Sequence, residues 1–254
     1  MKTYAMTGGA SGIGSGLKNQ LIQNGHKVID VDVRDADILA DLSTDEGRQA
    51  AISGIRSAMP EGFDGFIPCA GLGAHVPDPQ KIIKVNYFGV TAIIDGIRDL
   101  LERKKGSIVI LSSNSAPMPN ENQELVDAMI EENEKSASDI ADQFDGFTAY
   151  VSSKLAIARW MRRNAPVFIK QGIRLNAVAP GITKSGMTDA AFEASSTAEA
   201  MQAFAESVPV GFIAKPAHIA HAILFLLSEE AEFICGSVLF VDGGHDALLR
   251  PDSF

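Results

Sequence analysis

Along this chain, apolar runs of strand length alternate with longer segments whose apolar positions recur at helical spacing. Thr3 to Met6 predicts a first strand, a glycine turn follows, and a helix runs through Leu17, Leu21 and Ile22. Val28 to Val33 predicts a second strand, Gly47 to Met59 a helix and Gly65 to Cys69 another strand. The breakers Pro77 and Pro79 precede a long helix from Gln80 to Arg103. Ser107 to Leu111 is almost wholly apolar, as expected of a strand in the middle of a parallel sheet covered on both faces. A helix from Thr148 to Lys170 and a strand from Ile173 to Val178, stopped by Pro180 and Gly181, come next. A mixed segment, Ile182 to Val210, leads to a helix from Pro216 to Leu227 and a last strand from Ser237 to Val241. Such alternation, joined right-handed, predicts one α/β domain over residues 1–254 built on a doubly wound parallel sheet.

Composition narrows the class. The 254 residues are 46% hydrophobic and 21% charged, which suits a packed domain and excludes wholesale disorder. The longest apolar stretch, Ile219 to Leu227, carries His221 and falls far short of the roughly 20 residues of a membrane helix. An N-terminus that turns glycine-rich after six residues lacks the apolar run of a secretory signal, so the expected location is cytoplasmic and no membrane partner is expected. The two cysteines, Cys69 and Cys235, have neither disulfide-framework nor zinc-ligand spacing and are expected to be small buried apolar groups. The five histidines, His26, His75, His218, His221 and His245, have no partners at metal-ligand spacing, so no metal is expected.

The formal charge of −10 argues against a nucleic-acid partner. Nine acids and a single base, Lys135, fall between Pro117 and Gly146, leaving the rest of the chain close to balance. Residues 117–146 therefore form an acidic helical insertion ahead of Tyr150. Leu125, Val126, Met129 and Ile130 fit one helical face and Ile140 and Phe144 another, so the insertion is expected to supply two helices, either covering the site entrance or lying on the surface as an appendage.

Chemistry first shows at the end of the first strand, where Gly8, Ser11, Gly12, Ile13 and Gly14 make a glycine-rich turn running into a helix. Glycines let the backbone approach a pyrophosphate, and the helix start offers unpaired N–H groups and partial positive charge. Asp32 ends the second strand 20 residues past Gly12, where a carboxylate can accept both ribose hydroxyls of NAD and would repel the 2′-phosphate of NADP. Arg34 is a counterweight, but Asp35 and Asp37 flank it, and NAD is the expected cofactor. Of three tyrosines only Tyr150 has a lysine four residues on, Lys154, which places both on one helix face. An ammonium beside a phenol is expected to lower the phenol pKa toward the working range and make it a proton donor and acceptor for an alcohol.

Thr7-Gly8-x-x-x-Gly12-x-Gly14, Cys69-Ala70-Gly71, Asn86, Ser112-Ser113, Tyr150-x-x-x-Lys154 and Pro180-Gly181 occur in the order seen in short-chain dehydrogenases/reductases, and nearly the whole chain resembles that family. Asp32 to Asp37, Ala40 to Thr44, Cys69 to Gly73, Val85 to Gly89 and Arg250-Pro251 are similar to its bacterial hydroxysteroid dehydrogenase/carbonyl reductase branch. The resemblance implies a Rossmann-type fold and an NAD(H)-dependent exchange between a secondary alcohol and a ketone, on a 3α-hydroxysteroid or similar apolar cyclic molecule. The same chemistry on a smaller cyclic or sugar-derived alcohol, or NADH sensing without catalysis, are the alternatives.

The resemblance also implies roles. Ser113 would bond the substrate oxygen, with Ser112 as competitor, and Tyr150 would be the acid/base. Lys154 would hold the nicotinamide ribose, and Asn86 would support a proton relay through it. Ala70 and Gly71 would line the cofactor cleft and Asp41 and Leu42 the adenine site. After Pro180 and Gly181, Ile182 and Thr183 would take the carboxamide. Cys69 departs from the family's usual asparagine, and the 36 residues between Ser113 and Tyr150 exceed its usual spacing. Met187, Phe192, Met201 and Phe204 suit a substrate lid over 182–210, though core helices could look the same. A homodimer is expected over a tetramer, because the acidic insertion precedes the long helix through which family members pair.

Overall fold

The computed structural model describes residues 1–193 and 198–253. Part of the expected lid, 194–197, lies outside the described residues. In chain order the elements are β1 (Thr3–Thr7), α1 (Gly12–Gln23), β2 (Lys27–Asp32), β3 (Ile38–Leu39), α2 (Asp45–Ala58), β4 (Gly65–Pro68), α3 (Pro79–Ile83) and α4 (Gly89–Lys104). They continue with β5 (Ser107–Leu111), α5 (Gln123–Ile130), α6 (Glu134–Ala141), α7 (Gly146–Lys170), β6 (Arg174–Pro180), α8 (Gly186–Glu193), α9 (Ala198–Glu206), α10 (Pro216–Leu227), β7 (Val238–Val241) and α11 (His245–Leu249).

The strands form one parallel sheet in the order β3-β2-β1-β4-β5-β6-β7. Leu17, Leu21, Ile219, Ile223 and Leu227 of α1 and α10 cover one face with Tyr4, Met6 and Val109. Ile52, Ile55, Ile93, Ile97, Ile157 and Met161 of α2, α4 and α7 cover the other with Ala5, Phe66, Ile108 and Ile110. With helices on both faces, every residue of β5 is buried, which its unbroken apolar run requires. The chain reverses its direction of travel across the sheet between β1 and β4, and a crevice opens there at the carboxyl ends of the strands.

Three departures from the expected pattern bear on the site. The single helix expected from Gln80 to Arg103 is interrupted by a π-helical turn, Lys84–Phe88, that contains Asn86. The mixed segment after β6 contains α8 and α9, and the chain after β7 turns into α11, which periodicity did not announce. The insertion reaches the crevice only through Met118, and its two helices do not cover the site entrance. Its helices, capped by Asn122 and Asn133, bury Leu125, Val126, Met129, Ala137 and Ala141 against α7 and α3, and none of their residues lines the crevice. Arg48 explains the anchorage: only 4% exposed, it forks onto Glu134 of α6 at 2.5 and 2.9 Å and donates to the Leu42 carbonyl at 2.9 Å. A bidentate pair of this kind fixes geometry as well as charge.

Candidate active site

The crevice floor is the glycine turn. Gly8 has φ of +77°, and a Cβ there would lie 2.5 Å from the Ala70 nitrogen, so only glycine admits this backbone so close to the end of β4. A Cβ on Gly14 would sit 2.0 Å from the Gly8 carbonyl oxygen, so glycine lets α1 press onto the turn it leaves. Ser11 stands at the N-cap of α1 without a capping hydrogen bond from its side chain, beside Gly12 and Ile13. The first turn of α1 thereby faces the crevice with N–H groups free of a side-chain cap, an arrangement suited to an anion.

Two carboxylates hold that turn from behind. Asp32 accepts from the Ala10 nitrogen at 3.1 Å and the Val33 nitrogen at 2.7 Å, and it reaches the crevice rim at the end of β2. Asp30, fully buried, accepts from the Gly9 nitrogen at 3.0 Å and from Lys18 at 3.1 Å. Burial raises its pKa and the Lys18 contact opposes the rise. Asp30 was missed by sequence reasoning; its one signal is its position two residues before Asp32 on the same face of β2. Beyond β3, Asp41 accepts from the Ser43 nitrogen and hydroxyl at 2.9 and 2.7 Å, which holds its pKa below the usual carboxylate range, and Leu42 is buried beside it. On the other side Ala70 donates to Thr7 Oγ1 at 3.1 Å, setting Ala70 and Gly71 against the turn.

At the end of β5 the two adjacent serines separate. Ser112 Oγ donates to the Lys154 carbonyl at 2.9 Å and so belongs to the anchorage of α7. Ser113 Oγ instead accepts from Ser115 Oγ at 2.8 Å and from the Ser115 nitrogen at 3.2 Å. With both acceptor positions filled, the Ser113 hydroxyl has its own proton left to give. Ser115, which sequence reasoning missed, thus fixes the polarity of Ser113, and both hydroxyls hydrogen-bond with Tyr150.

The Tyr150–Lys154 pair does not stand as the spacing suggested. Lys154, 7% exposed, donates from Nζ to the Leu111 carbonyl at 2.9 Å, and its nitrogen is 5.9 Å from the Tyr150 ring centre. Enclosure raises the Tyr150 pKa, opposed by the Ser113 and Ser115 hydrogen bonds, while the same enclosure pushes Lys154 down to about 8. The expected lowering of the phenol pKa is therefore absent, because desolvation outweighs an ammonium turned toward a carbonyl. Cys69 also borders the crevice; enclosure pushes its thiol up to about 12, so it presents no thiolate. Both cysteines are partly exposed, not fully buried as expected.

Asn86, 1% exposed, accepts from the Leu72 nitrogen at 2.8 Å and donates to the Leu72 carbonyl at 3.0 Å and to Ser153 Oγ at 3.2 Å. It fastens the Gly71–Leu72 segment to α7 beside Lys154. Thr183, held by a bond from its hydroxyl to the Gly181 carbonyl at 2.9 Å, follows Pro180, Gly181 and Ile182 on the opposite wall. Between these walls lies a cavity of about 330 Å³, floored by Ser113, Tyr150 and Lys154 and walled by Leu72, Met118, Phe147, Met187, Met201 and Phe204. A more open hollow of about 510 Å³, bounded by Lys184, Phe212, Lys215 and His218, carries none of these hydroxyl groups.

Residues 2–125 match the family model described as short chain dehydrogenase, and residues 135–246 match one described as Enoyl-(Acyl carrier protein) reductase. The chain is 34% identical to a 3-alpha-hydroxysteroid dehydrogenase/carbonyl reductase of Comamonas testosteroni over the full length of both. It is 30% identical to a vibriobactin-specific 2,3-dihydro-2,3-dihydroxybenzoate dehydrogenase of Vibrio cholerae, covering 94% of each chain. Among solved structures, the 3-alpha-hydroxysteroid dehydrogenase from Pseudomonas sp. B-0831, complexed with NADH, superposes with a TM-score of 0.96 at 40% identity, over 99% of this chain and 100% of that one. A glycine-floored crevice, a serine-tyrosine-lysine floor in the cavity beside it and full-length kinship of this degree meet in one chain, which belongs to the short-chain dehydrogenase family.

Proposed function

We propose that this protein interconverts a secondary alcohol and a ketone with NAD(H), on an apolar cyclic substrate of the 3α-hydroxysteroid kind. The observation that carries this reading is that Ser113, Tyr150 and Lys154 share the floor of a largely apolar cavity that reaches Ile13 at the start of α1. The turn suits a dinucleotide: Gly8 and Gly14 let the turn pack tightly between β4 and α1, Gly12 keeps the helix start open to a pyrophosphate, Ser11 and Ile13 flank it, and Asp32 offers a carboxylate to the adenosine ribose. Asp41 and Leu42 would hold the adenine, Ala70 and Gly71 the middle of the cofactor, and Pro180, Gly181, Ile182 and Thr183 the carboxamide end. When bound, the nicotinamide supplies the hydride acceptor or donor.

The protein's own part is proton handling and orientation. Ser113, its acceptor sites filled by Ser115, donates to the substrate oxygen. Tyr150 takes the alcohol proton during oxidation and returns it during reduction. Lys154, held at the Leu111 carbonyl, would hold a ribose hydroxyl of the cofactor, and its charge would favour phenolate. Asn86 holds the relay segment at Leu72 and α7. Residues 182–210 act as a lid, α8 and α9 presenting Met187, Met201 and Phe204 to the substrate, and residues 117–146 are a packed insertion in the single domain. A 330 Å³ cavity with these walls favours a fused or substituted ring over a polyol.

Two copies pair in this reading. The insertion occupies part of the outer side of α7, while the unpaired edge strand β7 and its surroundings expose Phe225, Phe233, Leu239, Leu248 and Leu249. No helix among the described residues is long and apolar enough to cross a membrane, and free Cys69 and Cys235 suit a reducing cytoplasm.

NADH absorbance assays with a 3-hydroxysteroid, a monocyclic ketone and a polyol decide the substrate: steroid turnover is expected, and activity confined to the smaller molecules would keep the chemistry and discard the ring-system reading. Tyr150→Phe should lower turnover by about 10²–10⁴-fold without weakening NADH binding; a variant that still turns over would sink the proton assignment, and an inactive wild type that binds NADH would point to a sensor. Asp32→Ala with Val33→Arg should weaken NAD use about tenfold and raise NADP use, since one charged hydrogen bond to ribose is lost and a 2′-phosphate partner gained; unchanged preference would remove Asp32 from the cofactor site. Light scattering should give the mass of a dimer, and a stable tetramer would contradict the pairing described.

A further inference from the structure

His245, two residues past the last strand's turn at Gly243, is 2% exposed and joins two walls of the substrate cavity that are far apart in sequence. Its Nδ1 lies 3.3 Å from Asn114 Nδ2, and Asn114 stands between Ser113 and Ser115. Its Nε2 lies 2.9 Å from Ser207 Oγ, just past the end of α9. The proton positions follow from the partners. Ser207 gives its hydroxyl proton to the Phe204 carbonyl at 2.8 Å, so it accepts from Nε2–H of the imidazole. Nδ1 then carries the lone pair and accepts from the Asn114 amide. The ring edge also meets the Phe204 ring, with centres 4.4 Å apart and planes at 81°. The backbone repeats the connection, since the Val210 nitrogen donates to the Gly243 carbonyl at 3.1 Å.

Resting on the substrate reading above, we propose that His245 is a positioning residue that latches α9 to the Ser113–Ser115 loop and so sets the distance between the Phe204 wall and the reacting floor. It touches neither the cofactor cleft nor the reacting atoms. Its contribution falls on the part of the substrate that reaches Phe204, so an extended ring system depends on it and a single small ring at the floor does not. At its other end the imidazole rests on Asn114, whose backbone nitrogen donates to the Pro180 carbonyl at 3.0 Å, so the loop that presents Ser113 is held independently and serves as the fixed point of the latch. The residues between β7 and the end of α11 thus complete the substrate pocket from behind.

The test compares His245→Ala, His245→Gln and Ser207→Ala with the wild type on a fused-ring ketone and on cyclohexanone. His245→Ala and Ser207→Ala should raise KM for the fused-ring ketone about tenfold, the loss of one to two kcal/mol-scale hydrogen bonds, and leave its kcat, the KM for cyclohexanone and NADH affinity unchanged. His245→Gln, whose amide can donate to Ser207 and accept from Asn114, should recover most of the loss. A KM that does not move, or that moves equally for both ketones, overturns the latch; so does a fall in kcat alone, which would mark general support of the fold. Backbone hydrogen exchange over 198–206 provides a readout independent of turnover and should quicken in both alanine and serine-deleted variants. Should the wild type reduce neither ketone, the substrate reading fails while unchanged exchange would still refute the latch and faster exchange would still uphold it.

Discussion

A buried ammonium governs the site. Lys154 is enclosed at the foot of the cavity, its Nζ held by the Leu111 carbonyl, with no carboxylate among its hydrogen-bond or ion-pair partners in the described residues. The nearby Cys69 thiol stays neutral and offers no compensating charge. Removing a cation from water without an anion is costly, and the protein meets part of that cost by letting the lysine pKa fall to about 8. Because folding lowers this pKa, the unfolded chain holds a proton that the native state releases between about 8 and the ordinary lysine value of 10.5. The native state without cofactor therefore gains stability as pH rises through that window. A polar ligand reaching Lys154 would remove the deficit and restore a charge beside the Tyr150 ring.

The surrounding architecture serves to keep that lysine in place. Ser112 bonds the Lys154 carbonyl, Asn86 bonds Ser153 one residue earlier, and β5 delivers the Leu111 carbonyl from a fully buried strand. Helix α7 is further loaded from outside by the insertion, where the Asn122 nitrogen donates to Ser152 Oγ at 2.9 Å. The acidic segment is thus a brace on α7, and its surplus charge is met at one buried point by Arg48. Arg48 also holds the Leu42 carbonyl, so the loop after β3 and the insertion share a single guanidinium.

What could be read from the sequence is what depends on near neighbours. The alternation of strands and helices, the glycine turn and the Tyr150–Lys154 spacing are local patterns, and the sheet with its crevice at the β1–β4 reversal follows from them. Contacts between distant residues were not legible: Arg48 and Glu134 are 86 positions apart, Asn114 and His245 131. Amphipathic spacing in the insertion identified two helices but not their partner, because an apolar face at Leu125 and Met129 fits α7 as well as a site mouth. The Tyr150 pKa went the other way for a related reason. Helical spacing places Lys154 on the same face, whereas enclosure and the direction of Nζ are tertiary facts that a four-residue interval does not contain.

Carbon-13 NMR of lysine side chains in the cofactor-free protein, with Lys154→Met to assign the resonance, tests the buried ammonium most directly. A resonance titrating near 8, missing from the variant and displaced upward when NAD is bound, is the expected result. A Lys154 resonance titrating at the ordinary value of 10.5, indifferent to the cofactor, would contradict the account.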